Sequence, residues 1–114
     1  MRNRHALGVA TAMAIAVGCS NGQEQAVPDL AARGEHYYKN VCIACHNGDP
    51  TNDGTLGPAI AGSSRALLEA KVLRGEYPAG YTPKRNTGQM PRLEYLEPEI
   101  DAIAAYLAAA NTDG

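Results

Sequence analysis

Tryptophan and phenylalanine are absent from the 114-residue sequence, and six tyrosines are its only aromatic residues. Much of the 45% hydrophobic fraction is alanine. A single small domain buries little surface per residue, so a core of Ala, Leu, Ile, Val and Tyr alone would be thin. The absence of large apolar side chains therefore predicts that something besides the polypeptide fills the interior.

A long hydrophobic run is also absent. The longest, ALGVATAMAIAVG at residues 6–18, has thirteen residues, whereas a membrane-spanning helix needs about 20. The run follows a basic start, MRNRH, ends in small residues and has no polar face that would suit a helix buried in a domain. This layout is typical of a secretory signal, so residues 1–18 are predicted to be a signal peptide.

Cysteine is scarce, and the first of three cysteines follows this run directly. The residues before Cys19 resemble the lipobox of bacterial lipoproteins, although Ala16 stands where that motif most often has leucine. Two outcomes are open: lipidation of Cys19 as the first mature residue, or cleavage nearby, for example after Ala16. We favour lipidation, because an odd exposed cysteine in an exported protein otherwise needs a partner. Ser20, in place of aspartate, then favours the outer membrane of a Gram-negative cell.

A basic surface is not expected on the mature chain. Starting at Cys19, the chain has 8 basic and 12 acidic residues, a formal charge of −4. This balance argues against nucleic acid as a partner. Residues 19–28 are predicted to be the lipidated cysteine and a flexible polar tether. Residues 29–112 remain for a single domain.

Strand-like alternation does not stand out, and the predicted fold class is all-α. Three segments have apolar residues at helical spacing or helix-boundary signals: 29–41, 65–74 and 98–110. Asp29 is expected to cap the first helix, and Ser63 or Ser64 the second, which Gly75 ends. Pro98 suits the first position of the third helix.

Two segments rich in glycine and proline are predicted to be loops: 47–64 and 75–95. In the first, Asp49, Thr51 and Asp53 imitate the start of an EF-hand calcium loop. Ile60 stands at the twelfth position, where that loop needs a bidentate glutamate. The pattern therefore indicates turn chemistry and not a calcium site.

The other two cysteines stand in CIACH, with His46 directly after Cys45. A structural zinc site needs four ligands, and this segment offers three at best. A thioredoxin-like pair belongs at a helix N-terminus in a βαβ setting, whereas this pair follows a helix. Haem uses all three residues, because Cys42 and Cys45 can each bond a vinyl group while His46 ligates iron. We therefore predict one covalently attached haem c, which also fills the thin interior.

A second axial ligand is needed for a six-coordinate iron. Met90 is the only methionine after the signal peptide, and His36 is the only spare histidine. His36 lies on the helix that leads into the attachment site, so its side chain could reach the opposite face of the porphyrin only with difficulty. Met90 lies in a glycine- and proline-broken loop, next to Pro91, rather than in a periodic apolar segment. We predict that Met90 ligates iron, which raises the reduction potential relative to more basic ligands.

With these motifs, the sequence resembles the class I mono-haem cytochrome c family over roughly residues 30–110. The matching stretches are CIACH, LGPAIAG, GQMPRL and IAAYLAA. The resemblance implies three to four short helices wrapped around one haem, with the N- and C-terminal helices crossing closely at Gly34 and Tyr38. It also implies that Pro58 offers its carbonyl to the imidazole of His46.

Two features depart from the family pattern or stay open. No tryptophan is available for a haem propionate, so Tyr77, Tyr81 or Arg65 is expected to serve instead. Lys84 and Arg85 are adjacent in the second loop. They are interpreted either as a solvated surface or as a docking patch for an acidic partner, because rim charges mainly steer encounter.

The expected function is one-electron transport by a His/Met-ligated iron in a periplasmic or envelope chain, without enzymatic activity. The expected partners are redox proteins such as an oxidase, dehydrogenase or reductase. The protein itself is expected to be a monomer, which a lipid anchor holds on the periplasmic side of a membrane. Without the anchor, the protein is expected to be soluble in the periplasm. Two alternatives remain: a haem sensor or small redox enzyme with a displaceable sixth ligand, and a structural disulfide or zinc protein.

Overall fold

The amphipathic segment forms helix α1 (Val27–Val41) in the computed structural model, which describes residues 26–112. The helix begins two residues earlier than predicted. Its N-cap is Ala26 and not Asp29, and a proline occupies its first turn, where a missing N–H breaks no intrahelical bond. Asp29 lies in that first turn, where its charge suits the positive end of the helix dipole.

The predicted signal peptide 1–18, the predicted lipidation site Cys19 and the tether up to residue 25 lie outside the described residues. The last two residues assigned to the tether, 27 and 28, belong to α1. After α1, a 3₁₀ turn (Cys42–Ala44) carries the chain into the CIACH segment.

The second predicted helix is confirmed, with a change of winding along its length. Helix α2 (Arg65–Leu68) continues directly into a π-helical turn (Glu69–Leu73). Of the two serines proposed as caps, Ser64 is the one used: its hydroxyl oxygen accepts a hydrogen bond from the N–H of Leu67 at 3.1 Å. Gly75 follows with φ of 67°, a left-handed conformation that favours glycine at a helix end.

The third predicted helix exists but does not begin at Pro98. A 3₁₀ helix (Glu94–Glu99) contains Pro98, and helix α3 (Ile100–Thr112) follows it without a break. Short 3₁₀ segments are frequent at the N-termini of α-helices, and sequence spacing does not distinguish the two windings. Residues 26–112 contain no strand, so the described domain is all-α. No helix within this range is long and apolar enough to cross a membrane.

Helices α1 and α3 cross at Gly34. A Cβ atom placed on Gly34 would lie 1.9 Å from the carbonyl oxygen of Ala102, so the two backbones are in direct contact. One turn further along α1, Tyr38 is fully buried, and its ring lies 5.3 Å from that of Tyr106. The close crossing implied by the family resemblance is therefore present.

The core lies around this crossing and extends to the middle helix. Its main cluster consists of seven buried side chains: Tyr38, Leu68, Val72, Leu96, Ile100, Ile103 and Leu107. One aromatic ring and six aliphatic side chains make a small core, as the composition predicts. Met90, Cys42 and Ile60 pack against it from the side.

An ion pair fastens the crossing beside the core. The guanidinium of Arg33 donates two hydrogen bonds to Glu99, at 2.7 Å and 2.6 Å. The side chain of Glu99 is only 8% exposed. These hydrogen bonds from Arg33 hold the pKa of the Glu99 carboxyl below its usual value. Glu99 therefore pairs with α1, a role that its predicted place near the start of a helix did not reveal.

The crossing makes a direct prediction for Gly34→Ala. A methyl group cannot fit against the Ala102 backbone, so α1 and α3 must separate. We expect the free energy of unfolding to fall by about 3 kcal/mol or more, measured by urea denaturation. Gly48→Ala is the matched control, because a Cβ there meets nothing within 4 Å and should change stability by no more than about 1 kcal/mol. Equal effects of the two substitutions would contradict the crossing.

Candidate functional site

A mostly apolar cavity of about 400 Å³ opens beside the core. Its walls come from the end of α1, the CIACH segment, the middle helix and the two loops. We call these the Pro58 loop (47–64) and the Met90 loop (75–93). All five residues predicted for the cofactor line it: Cys42, Cys45, His46, Pro58 and Met90. The fold thus brings together residues that the sequence keeps in three separate segments.

His46 has a fixed orientation in this cavity. Its Nδ1 lies 2.8 Å from the carbonyl oxygen of Pro58. A carbonyl oxygen can only accept, so Nδ1 is the donor and carries the proton, which leaves the lone pair on Nε2. Such a hydrogen bond fixes the ring and raises its basicity as a metal ligand. The sequence proposed this contact only through the family resemblance.

Gly57 makes room for the His46 ring. A Cβ atom on Gly57 would lie 2.5 Å from both Nδ1 and Cε1 of the imidazole. The same short segment is tied to the attachment pentapeptide, because the carbonyl of Cys45 accepts hydrogen bonds from the N–H groups of Leu56 and Gly57 at 3.2 Å and 2.8 Å. The backbone of the Pro58 loop therefore packs against the imidazole ring of His46 and supports it.

Acidic side chains shape the rest of the Pro58 loop. One Asp49 carboxylate oxygen accepts from the N–H and the hydroxyl of Thr51, at 2.9 Å and 2.7 Å, and these bonds lower the pKa of Asp49. Asp53 accepts from the N–H of Ala59 at 2.8 Å. Within residues 26–112, no group of three or more His, Cys, Asp or Glu could hold a metal ion. The hydrogen bonds of Asp49 and Asp53 are the turn chemistry that the sequence indicates for this loop.

The Cys42 thiol does not resemble the reactive thiol of a redox pair. Cys42 and Cys45 are both free, and both are half-buried. Burial raises the pKa of the Cys42 thiol to about 11, whereas reactive thiols of exchange enzymes have lowered pKa values. The thiols instead face an apolar space, where they can hold the edge of a flat apolar group.

Met90 and His36, the two possible second ligands, lie in different places. Met90 is half-buried, packs against the core and lines the cavity. Its loop leaves the middle helix at Gly75 and returns at Leu93, whose N–H donates to the carbonyl of Val72 at 2.7 Å. His36 is exposed on α1, beside the side chain of Asn40, and does not line the cavity.

The three residues proposed as partners of a haem propionate also lie in different places. Tyr77 and Tyr81 line the cavity with stacked rings 5.5 Å apart, and the ammonium of Lys71 lies 4.3 Å from the centre of the Tyr77 ring. Arg65 is not among the lining residues and pairs with Asp101 on the exposed surface. The structure therefore favours the two tyrosines over Arg65, because the acidic partner of Arg65 on α3 holds its guanidinium outside the cavity.

Several lining residues carried no recognisable signal in the sequence. They are polar or basic side chains at the cavity edge: Ser63, Lys71, Lys84, Arg85 and Thr87. Lys84 and Arg85 were considered only as solvated or docking charges. The structure shows both of them bonded to the backbone of the Pro58 loop.

An all-α domain whose apolar cavity carries a Cys-x-x-Cys-His segment and a loop methionine has the features of a c-type haem protein. The family model for cytochrome c matches residues 31–111, and the chain belongs to the cytochrome c family, as a class I member. Comparisons with curated proteins and with solved structures gave no match. The cofactor of this family is one covalently attached haem c with its iron.

The cavity fits this group by the chemistry of its lining. Apolar walls suit the porphyrin face, and two neighbouring thiols suit its vinyl edge. His46 presents a nitrogen lone pair, and Met90 supplies a thioether, both of which are established haem ligands. Cys42, Cys45, His46 and Met90 are thus the residues that would hold the cofactor.

A substitution at Gly57 tests the support of His46. Gly57→Ala would push the His46 ring off the Pro58 carbonyl. Loss of such a supporting hydrogen bond lowers metal affinity by about 10- to 100-fold, and we expect the bond from Nε2 to iron to weaken by about tenfold. Protons compete with iron for Nε2, so the midpoint pH at which acid converts low-spin to high-spin haem should rise by about one unit. A visible-absorbance titration measures this midpoint. An unchanged midpoint, equal to that of Gly48→Ala, would show that the ring does not rest on Gly57.

Proposed function

We propose that this haem-based electron carrier is an exported protein whose iron is ligated by His46 and Met90, with the haem attached to Cys42 and Cys45. Membership in the cytochrome c family gives the general activity. The specific assignment rests on one observation: both thiols, the imidazole with its free lone pair and the methionine all line the same apolar cavity.

Each residue has a distinct part in electron transfer. When bound, haem supplies an iron that alternates between Fe(II) and Fe(III), so that one electron is taken up and released. Cys42 and Cys45 fix the position of the ring, and His46 is held by Pro58 in the orientation for ligation. The thioether of Met90 and the apolar walls favour the less charged Fe(II) state, which raises the reduction potential.

The cavity wall has no carboxylate that a haem enzyme could use for proton transfer. No aspartate or glutamate lines it in the described part of the chain. As the proposed ligand, Met90 would also take the position that a sensor or an enzyme keeps open or easily displaced. These observations favour the carrier over a haem sensor or redox enzyme.

The ligation by Met90 is tested by Met90→Ala. Loss of the thioether should lower the reduction potential by an amount on the order of 100 mV and abolish the methionine-to-iron absorption band. The reduced protein should also bind carbon monoxide. Asn86→Ala, at an exposed position of the same loop that does not line the cavity, is the control and should resemble the wild type. A Met90→Ala protein with the wild-type spectrum would show that another group is the ligand.

Export and anchoring form the second part of the proposal. The basic start, the apolar run up to residue 18 and Cys19 directly after it support a signal peptide and a lipid anchor. Attachment of haem to cysteines takes place outside the cytoplasm, which agrees with export. We propose a monomer on the periplasmic face of a bacterial membrane, with the outer membrane favoured. It would exchange electrons with an oxidase, a dehydrogenase or a reductase, through the small, quickly released interfaces that redox encounters use.

The anchor is tested by Cys19→Ser in a haem-competent bacterial host. Without the thiol no acyl chain can be attached, so haem absorbance should move from the membrane pellet to the soluble periplasmic fraction. Ser20→Ala keeps the cysteine and should stay in the pellet. Persistent membrane association of the Cys19→Ser protein would contradict lipidation.

A further inference from the structure

Two loops that carry the proposed iron ligation are joined at the edge of the cavity. The ammonium of Lys84 donates a hydrogen bond to the carbonyl of Ala59 at 2.7 Å. The guanidinium of Arg85 donates to the carbonyl of Gly54 at 3.2 Å. Lys84 and Arg85 belong to the Met90 loop, and Gly54 and Ala59 to the Pro58 loop. We call these four residues the rim clasp.

The Pro58-loop side of the clasp is itself connected to His46. Gly54 donates its N–H to the carbonyl of Gly57 at 2.9 Å, and Gly57 lies against the imidazole. Ala59 directly follows Pro58, the acceptor of the His46 hydrogen bond. The rim clasp is therefore bonded to the same short segment that orients His46.

The Met90-loop side has few other attachments. Among the hydrogen bonds of residues 26–112, only those of Lys84 and Arg85 join positions 77–92 to another segment. Without them, the stretch that carries Met90 is held by its two ends, by the contact of Tyr77 with Lys71 and by apolar packing. The position of the methionine should therefore depend on the clasp.

Burial shows which contact of the clasp matters more. The Arg85 side chain is 29% exposed, although it carries a charge. Asp53, the nearest carboxylate, is 70% exposed and lies 3.8 Å away, so this ion pair contributes little. Both donors of the clasp are charged, and Lys84 makes the shorter bond, but the Lys84 side chain is exposed whereas Arg85 is half-buried. Water therefore competes less for the Arg85 hydrogen bond. The contact of Arg85 with Gly54 is therefore the stronger part.

We propose that Lys84 and Arg85 are positioning residues, which clasp the Met90 loop to the Pro58 loop and so hold Met90 in place as an iron ligand. This proposal rests on the proposed function, because it requires Met90 to ligate. It replaces both earlier interpretations of the two basic residues, as solvated or docking charges. Both side chains lie at the edge of the cavity, and neither is proposed as an iron ligand.

The clasp has a measurable consequence for competing ligands. Exogenous imidazole can bind ferric iron only when Met90 has left it. The apparent affinity of imidazole therefore equals its intrinsic affinity multiplied by the fraction of molecules in which the loop is open. Weakening the clasp raises that fraction, and imidazole binds more tightly without any change in its own contacts.

The experiment is an imidazole titration of the ferric holoprotein, followed by loss of the methionine-to-iron band. We expect Arg85→Gln to bind imidazole about tenfold more tightly, a change that corresponds to about 1.4 kcal/mol. Lys84→Gln should give a smaller increase, and the double variant a larger one. Arg85→Lys restores a charged donor and should recover part of the wild-type behaviour.

Arg74→Gln is the matched control. It removes the same charge, but Arg74 pairs with Glu69 and Glu76 outside the cavity. Its imidazole affinity should stay within about twofold of wild type. Urea denaturation of every variant confirms that the titration is made on folded protein. A merely structural role of Arg85 would lower the denaturation midpoint and leave imidazole affinity unchanged.

Two results would overturn the proposal in distinguishable ways. If the wild type shows the methionine-to-iron band and Arg85→Gln binds imidazole like Arg74→Gln, the clasp does not position Met90, and the proposed function stands. If the wild type lacks the band, Met90 is not a ligand, and the proposed ligation and the clasp fall together.

Discussion

The hydrogen bond from Nδ1 of His46 to the carbonyl of Pro58 is the contact on which the site depends. It determines which ring nitrogen keeps a lone pair, and it requires the Pro58 loop to pass directly beneath the attachment segment. That passage is possible because Gly57 has no side chain where the imidazole lies. The two N–H groups bonded to the Cys45 carbonyl then hold the loop and the segment together.

The remainder of the domain divides into a firmly packed side and a looser side. On the firm side, α1 and α3 touch at Gly34 and are joined by the Arg33–Glu99 pair. On the looser side, the Met90 loop is hydrogen-bonded to the Pro58 loop only through two basic side chains at the cavity edge, within the described residues. The core cluster borders the cavity, so a bound porphyrin extends a hydrophobic interior that the polypeptide alone leaves small.

Local signals in the sequence were sufficient for the three helices. They also predicted Cys42, Cys45, His46 and Met90 as the cofactor residues, and the structure places all four at one cavity, which His36 does not line. These signals failed where the outcome depended on distant partners. Glu99 pairs with a residue 66 positions away, and the contact of Arg85 spans 31 positions. Long flexible side chains leave no periodic trace of such contacts. Pro98 was misplaced for another reason, because proline fits the first turn of a 3₁₀ helix as well as that of an α-helix.

The central claim is that a porphyrin is bonded to Cys42 and Cys45 in this cavity. The most direct measurement is haem absorbance retained by the polypeptide after denaturation and extraction with acidified acetone. The colour should remain with the wild-type chain and be lost when both cysteines are replaced by serine. Haem that is extracted completely from the wild-type protein would contradict the covalent attachment on which the account is built.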